Sequence, residues 1–272
     1  MLCEVSAGRL LLFGSTASLL VVVGCALSGS QLALTLLGPL LVLYLAIILS
    51  GVFMLSWQMY GKAICRFPLP VAGLALTFDD GPDPRTTPLV LAELRRFGAK
   101  ATFFVIGKKV DAHPELTAEI VQSGHSLGIH SYEHDHFYSF LPPRRVAEDI
   151  AKCQESIRRA AGVAPRWFRP PLGQMSSRTF AGARSAKVQT VGWSARGQDG
   201  LRRTTPAQVT SRILPKLVPG AVVLLHDARE LVSEHDSPPA GTLALREILQ
   251  AMQERSLLAL TLDELAQHGS QS

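Results

Sequence analysis

Apolar and polar residues are distributed unevenly along this chain. The stretch from Leu10 to Leu55 contains no charged residue, whereas the rest has the mixed composition of a globular domain. This apolar stretch is too long for one membrane-spanning helix, which needs roughly 20 residues. Because Ser28-Gly29-Ser30-Gln31 interrupts it, the pattern predicts an N-terminal transmembrane helical hairpin with spans at about 10–27 and 32–55.

From about residue 71 onward, short apolar runs alternate with helical stretches. Thr87-Pro88 and Thr205-Pro206 each place a capping hydroxyl before a proline, as at the start of a helix. Such alternation predicts a parallel sheet covered by helices, and about seven repeats favour a barrel-like α/β fold over an open sheet, although the pattern alone does not decide closure. The runs expected as strands are 74–78, 102–106, 126–130, 167–169, 188–193, 222–226 and 257–262.

The two regions define the expected domain organisation. Residues 1–66 are predicted to form a membrane anchor, and residues 71–268 an α/β domain. The net charge of +5 comes with scattered arginine pairs and no nucleic-acid motif, so no nucleic-acid partner is expected. The four cysteines form no CxxC pair, and we expect them to pack rather than to form disulfides. No feature identifies a protein partner.

Basic residues beside the apolar stretch predict its orientation. Arg9 precedes the first span, and Lys62 and Arg66 follow the second, while the connecting turn is uncharged. The positive-inside rule then places both ends, and the large domain, in the cytoplasm at a bacterial-type inner (plasma) membrane; a periplasmic or extracellular domain stays open. A cleaved signal peptide, or a lipoprotein-type box at 22–25, is an alternative that the second apolar run disfavours.

Reactive polar residues stand at the carboxyl ends of the apolar runs. Asp79-Asp80, His130, Arg169 and His226 all occupy such positions. In an α/β barrel, loops converge at this edge and build active sites. Reactive groups at several independent strand ends therefore favour catalysis over packing as their explanation.

Two of these segments have the spacing of a hydrolytic metal site. The adjacent Asp79 and Asp80 can point in different directions, so that one binds a metal while the other faces a water molecule. His130 and His134 would project to the same side of a helical turn. Two imidazoles and a carboxylate with open positions are typical of a hydrolytic metal centre. Alone, an Asp-Asp-Gly-Pro sequence is usually only a polar turn.

These segments resemble a known family once two further motifs are added, Arg169-Pro170-Pro171-Leu172-Gly173 and Leu224-Leu225-His226-Asp227. In residue type, order and spacing they are similar to the polysaccharide deacetylase family (NodB homology domain, carbohydrate esterase family 4). The resemblance extends over roughly Val71 to His268. It implies a NodB-like deacetylase domain in this region, folded as a distorted (β/α)7-type barrel.

The implied function is a metal-dependent hydrolase acting on linear amide C–N bonds other than peptide bonds. It would remove an N-acetyl or N-formyl group from an amino sugar in a polysaccharide or a lipid-linked glycan. Its expected partners are therefore the glycan and the membrane. The alternative is a catalytically silent, membrane-anchored carbohydrate-binding protein on the same fold.

The resemblance also implies a metal site and a general base. Asp80, His130 and His134 would bind a divalent cation, zinc or else cobalt or nickel. Asp79 would be the general base that takes a proton from the attacking water. Arg169 would orient Asp79 through a charge-assisted hydrogen bond.

The remaining implied roles concern the leaving group and the acyl group. His226 would be the general acid that protonates the departing amine, and Asp199 would orient or tune it. The backbone N–H of Leu172 would help to stabilise the oxyanion. Leu224 would line the pocket for the acetyl methyl, and Trp193 matches a further motif position on the substrate side.

The sequence departs from the family pattern at two positions. Gly200 stands where a tryptophan often follows the aspartate, so one wall of the acyl pocket is expected to be missing or supplied elsewhere. Leu172 replaces a frequent tyrosine, a mild change if only its backbone acts. Neither change removes a reacting group, so they affect the prediction of the substrate rather than of the reaction.

Overall fold

The chain begins with two long apolar helices. In the computed structural model, which describes residues 6–68, 73–229 and 237–269, they are α1 (Ala7–Leu27) and α2 (Gln31–Phe53). Each has a serine N-cap, Ser6 or Ser30, whose hydroxyl accepts a hydrogen bond from the first turn. Both are long and apolar enough to cross a membrane, although a signal sequence would meet the same criteria.

Helices α1 and α2 contact the rest of the protein at the start of α1 and at the end of α2. At the start of α1, Gly8 lies so close to the backbone of Trp57 that a Cβ atom there would overlap the Trp57 carbonyl. At the end of α2, the carbonyl of Val52 accepts a hydrogen bond of 2.8 Å from the N–H of Met175. The helices therefore join the α/β domain through these ends.

A curled, parallel sheet forms the centre of the α/β domain. Its strands are β1 (Gly73–Asp79), β2 (Thr102–Val105), β3 (Ser126–Ile129), β4 (Trp167–Phe168), β5 (Gln189–Thr190), β6 (Ala195–Arg196), β7 (Val222–His226) and β8 (Leu258–Leu260). The order is β5-β4-β3-β2-β1-β7-β6, with β8 beside the first half of β1. All these pairings are parallel. The carboxyl ends of the strands therefore meet at one edge.

Helices cover the sheet on its outer side. They are α3 (Thr87–Arg96), α4 (Gly107–Ala112), α5 (Pro114–Gln122), α6 (Pro143–Ala161), α7 (Ser177–Ser185), α8 (Pro206–Ile213) and α9 (Ala240–Glu254), whereas α10 (Leu262–Gly269) packs in the cluster that contains Ala75 and Phe104, on the other face. The core lies between them and the sheet, and β1 is buried along its whole length. Such burial explains why this strand is a continuous apolar run rather than an alternating one.

The predicted barrel-like α/β fold is confirmed, with local differences. The sheet is a curled half-barrel whose order ends at β5 and β6. Strand β6 was not predicted, and β5 is shorter than the expected run 188–193. Both strands are only two residues long, and β6 contains the charged Arg196, so neither leaves a clear apolar pattern.

The predicted boundary between anchor and domain lies partly outside the described residues, because it includes 69–72. On its N-terminal side, Leu55 and Ala63 pack with Met175, and Phe67 is buried beside Val222. The connection after α2 therefore packs on the α/β domain. The division at residues 66 and 71 stays a prediction.

Candidate active site

A cavity of about 590 Å³ opens at the carboxyl edge of the sheet. Asp79 ends β1 and is paired in register with His226 at the end of β7. The structure brings together all the residues that the sequence singled out. Arg169 and Asp199 are fully buried. The cavity is lined by Asp79, Asp80, His130, His134, Leu172, Trp193, Leu224 and His226.

Asp80, His130 and His134 form a compact set of candidate metal ligands. Oδ1 of Asp80 lies 3.4 Å from Nε2 of His130 and 3.3 Å from Nε2 of His134. The three ligand atoms all lie within 4.8 Å of one another. Burial alone would raise the pKa of Asp80, but hydrogen bonds with the two histidines hold it well below its ordinary value. An ionised carboxylate and two imidazoles fit a divalent cation such as zinc.

The orientation of the His130 ring agrees with a role as a metal ligand. Its Nδ1–H donates a hydrogen bond of 2.8 Å to the backbone carbonyl of Arg169. This bond fixes the ring so that Nε2, which faces Asp80, is the nitrogen that would bind a cation after losing its proton. A metal-ligating histidine commonly has such a second hydrogen bond.

The prediction that His130 and His134 lie on a helical turn was wrong. The segment between them is a loop in which Ser131 and His134 have positive φ angles of 69° and 57°. The hydroxyl of Ser131 accepts a hydrogen bond of 2.9 Å from the backbone N–H of His134. The carboxylate of Asp149 accepts another, of 3.0 Å, from the N–H of Tyr132. Polar contacts, not helical periodicity, bring the two imidazoles together.

The carboxylates of the neighbouring residues Asp79 and Asp80 have different contacts. Oδ1 of Asp79 accepts a hydrogen bond of 2.7 Å from Nη1 of Arg169. Asp80 has a left-handed φ of 75°, which turns the chain between the two carboxylates. Nη1 of Arg169 also donates to Thr77, and the guanidinium lies 4.2 Å from the ring centroid of Phe104. One carboxylate therefore faces the two histidines while the other is fixed by arginine.

His226 and Asp199 form a second charged pair in the cavity. Nδ1–H of His226 donates to Oδ1 of Asp199 at 3.0 Å, and the backbone N–H of His226 donates to Oδ2 at 2.7 Å. Burial would lower the pKa of His226, but the charge and hydrogen bond of Asp199, together with Asp80 and Asp79, raise it to about 10. At neutral pH the imidazole is therefore protonated and can act as a proton donor.

The rest of the cavity wall combines apolar side chains with an open position. Leu172 has a left-handed φ of 55° in a short 3₁₀ turn. A Cβ atom at Gly200 would lie 3.2 Å from Nε2 of His226, so a larger side chain there would press on the imidazole. With glycine, this edge of the cavity is open and continues to Leu201.

Sequence reasoning missed residues that support the site. Nζ of Lys109 donates to the backbone carbonyls of Asp80 and Arg229, at 2.7 Å each. It thereby joins the loops that follow β1 and β7, a long-range contact that no local pattern signals. The hydroxyl of Thr87 donates to the carboxylate of Asp227. Burial raises the pKa of Asp227 to about 7, against the opposing effect of this hydrogen bond.

Comparison of the sequence with known proteins gives consistent matches. A family profile described as polysaccharide deacetylase matches residues 69–191. A peptidoglycan-N-acetylglucosamine deacetylase of Bacillus cereus is 31% identical over 223 residues, which cover 78% of this chain and 74% of that protein.

Solved structures with the same fold include both active and silent proteins. A family 4 acetyl xylan esterase from Clostridium thermocellum, in complex with a cobalt ion, is 32% identical with a TM-score of 0.64. The match covers 71% of this chain and 89% of that one. A mutant of a family 4 pseudoenzyme with restored enzymatic activity is 26% identical, has a TM-score of 0.66, and is matched over 77% of this chain and 73% of that one.

Replacing Asp199 with asparagine should lower the pKa of His226, because the substitution removes the negative charge that raises it. NMR titration of the imidazole in the metal-free protein measures this directly, and we expect a decrease of at least about one pH unit. Asp263→Asn is the matched control, since that carboxylate binds Arg166 and Trp167 instead. An unchanged His226 titration in Asp199→Asn would contradict the assigned pairing.

Proposed function

The chain belongs to the polysaccharide deacetylase family, and we propose that it removes the N-acetyl, or N-formyl, group of an amino sugar in a polysaccharide or lipid-linked glycan. It is a deacetylase, a hydrolase of linear amide C–N bonds. One observation on this chain's own residues supports the proposal most directly. The arginine-held Asp79 and the Asp199-held His226 line the same cavity as the candidate ligands of a metal.

The cation would be held by Asp80, His130 and His134. Their donor set suits zinc, with cobalt or nickel as alternatives. When bound, such a cation supplies Lewis-acid polarisation of the amide carbonyl and makes water a better nucleophile. The hydrogen bond from His130 to the Arg169 carbonyl keeps that imidazole in the correct tautomer for binding.

Asp79 would act as the general base. Arg169 holds one of its carboxylate oxygens, while the other lies 3.8 Å from Nε2 of His130, on the side of the metal site. A water molecule positioned there can give its proton to Asp79 as it attacks the acyl carbon. Because Arg169 is fully buried and hydrogen-bonded, the base is preorganised.

His226 would act as the general acid for the leaving group, the amine of the sugar. It is protonated at neutral pH, and Asp199 fixes its ring orientation, so it can donate a proton to the departing amine. The N–H of Leu172 would stabilise the negative charge that develops on the carbonyl oxygen. Leu224 and Trp193 would contact the acyl group and the sugar.

A catalytically silent carbohydrate-binding protein remains the alternative on this fold, and the family 4 pseudoenzyme is a precedent for it. Retention of the base, the acid and all three candidate ligands disfavours it.

The proposal includes a membrane location with two spans, α1 and α2. The contact of Gly8 with Trp57 and the hydrogen bond from the Ser6 hydroxyl to the Gln58 carbonyl, 3.1 Å, support retention of α1 rather than its removal as a signal sequence. Arg9, Lys62 and Arg66 support a cytoplasmic α/β domain. On that side of the membrane a lipid-linked sugar is the natural substrate class, whereas an external domain would favour peptidoglycan.

Activity on N-acetylglucosamine oligomers tests the reaction. The purified, zinc-loaded protein should release acetate and leave a free amine, and a chelator should abolish this release. Asp79→Asn should lower kcat at least about 100-fold, because the general base is lost. Asp111→Asn is the matched control, since Asp111 contacts Tyr132 and Arg159 outside the cavity. Full activity in Asp79→Asn would contradict the assigned base.

The silent alternative predicts a different result. The folded, zinc-loaded protein would then release no acyl group from N-acetyl or N-formyl amino sugars, whether free or lipid-linked.

Reporter fusions test the orientation. A fluorescent protein fused after Ser272 should fluoresce, and alkaline phosphatase at the same position should be inactive, because both would lie in the cytoplasm. Active phosphatase with a dark fluorescent fusion would place the domain outside the membrane.

A further inference from the structure

Three arginine side chains line the cavity beyond the reacting groups. They are Arg196 in β6, Arg202 after Gly200, and Arg229 after β7. Arg196 and Arg202 are exposed, and Arg229 is half-buried. Nη1 of Arg229 donates a hydrogen bond of 3.2 Å to the carbonyl of Gly200. The proposed mechanism uses none of these cations.

The position of these arginines follows from the open edge at Gly200. Because no side chain covers His226 there, the cavity continues from the reacting groups to Leu201 and Arg202. A sugar whose acyl group reaches Asp79 could therefore carry a charged substituent toward the arginines. A planar guanidinium binds phosphate, like carboxylate, through two parallel hydrogen bonds, and phosphate has the larger charge to offer to three arginines.

A second feature of the cavity mouth is apolar. Leu172 and Leu201 line the cavity and are 54% and 62% exposed. Phe137 and Phe140 are 69% and 63% exposed, with their ring centroids 6.4 Å apart. We call these four residues the apolar rim. Phe137 and Phe140 lie on the loop that follows His134, beside the cavity lining, and contiguous exposed apolar side chains mark a surface that contacts something other than water.

The apolar rim is attached to the end of α2. The Met175 N–H binds the Val52 carbonyl, and Met175 follows Leu172 closely in the chain. The next residue, Ser176, donates through its hydroxyl to the Ser139 carbonyl at 2.7 Å, in the turn that carries Phe137 and Phe140.

Two more exposed apolar side chains lie at that end of the helix. Phe53 and Met54 are 56% and 42% exposed at the end of α2. If α1 and α2 span the membrane as proposed above, the apolar rim lies at the level of the lipid headgroups. Aromatic side chains are favoured at this depth.

We propose that the substrate is a membrane lipid in which a phosphate or diphosphate joins the amino sugar to an apolar chain. The inference rests on the proposed deacetylase function and names its substrate class. The arginines bind the phosphate, the apolar rim lies against the lipid layer, and the acyl group of the sugar reaches Asp79 and His226. It applies to the cytoplasmic orientation proposed above.

Four substrates separate the contributions of lipid and phosphate. The full-length, zinc-loaded protein in mixed detergent–phosphatidylcholine micelles is given N-acetylglucosaminyl diphosphoryl polyprenol, UDP-N-acetylglucosamine, dodecyl N-acetylglucosaminide or an N-acetylglucosamine tetramer. We expect kcat/KM for the diphosphoryl polyprenol to exceed each of the others at least about tenfold, because only that substrate engages both the arginines and the apolar rim.

Variants assign the preference to the named residues. Arg229→Gln or Arg196→Gln should lower the kcat/KM ratio of diphosphoryl polyprenol to dodecyl glycoside about tenfold, the effect of losing one charge-assisted contact. The double variant Phe137→Ser/Phe140→Ser should lower the ratio of diphosphoryl polyprenol to UDP-N-acetylglucosamine. Arg203→Gln, an exposed neighbour outside the cavity lining, should change neither ratio. Ratios within one preparation are insensitive to a misfolded fraction.

The outcomes separate this inference from the deacetylase function. If UDP-N-acetylglucosamine is hydrolysed as fast as the diphosphoryl polyprenol, the protein recognises phosphate without lipid. If the dodecyl glycoside is hydrolysed as fast, the protein recognises lipid without phosphate. Either result overturns the inference. Comparable hydrolysis of all four substrates also overturns it but leaves the deacetylase function intact. Hydrolysis of none, in the N-acetyl and the N-formyl forms alike, contradicts the deacetylase function itself, and the inference with it.

Discussion

The buried contact between Arg169 and Asp79 is the interaction on which the site depends. Taking two charges out of water costs several kcal/mol per ion, and a buried pair persists only when its geometry is good and its other polar atoms are satisfied. Here the 2.7 Å hydrogen bond and the stacking on Phe104 meet that condition. The backbone carbonyl of the same arginine orients His130. One residue therefore positions both the candidate base and a candidate metal ligand.

The parallel sheet makes this arrangement possible. Each reacting group comes from a different strand or from the loop that follows it, and parallel pairing places all of these ends at one edge. The register that pairs Asp79 with His226 brings the base and the acid to the same cavity, although they lie far apart in the sequence. The open edge at Gly200 then decides which part of a substrate can extend past the reacting groups.

Much of this could be predicted from the sequence, and the failures have physical reasons. The strands with long apolar runs, such as β1 and β7, were predicted within a residue or so, because burial on both faces leaves a strong pattern. Strand β6 was missed because its two residues are held by pairing rather than by apolar character. The conformation of Ser131 and His134 was predicted wrongly, since tertiary hydrogen bonds override local propensity there. The candidate site residues were recognised by family motifs, but the contacts of Lys109 cannot be read from local sequence.

The central claim is that two adjacent carboxylates have different tasks, Asp80 as a metal ligand and Asp79 as a base held by Arg169. Zinc content of the purified variants, measured after dialysis against a weak chelator, tests this division most directly. The account predicts that Asp79→Asn retains about one zinc per chain while Asp80→Asn loses most of it. Loss of zinc from Asp79→Asn with retention in Asp80→Asn would contradict the account.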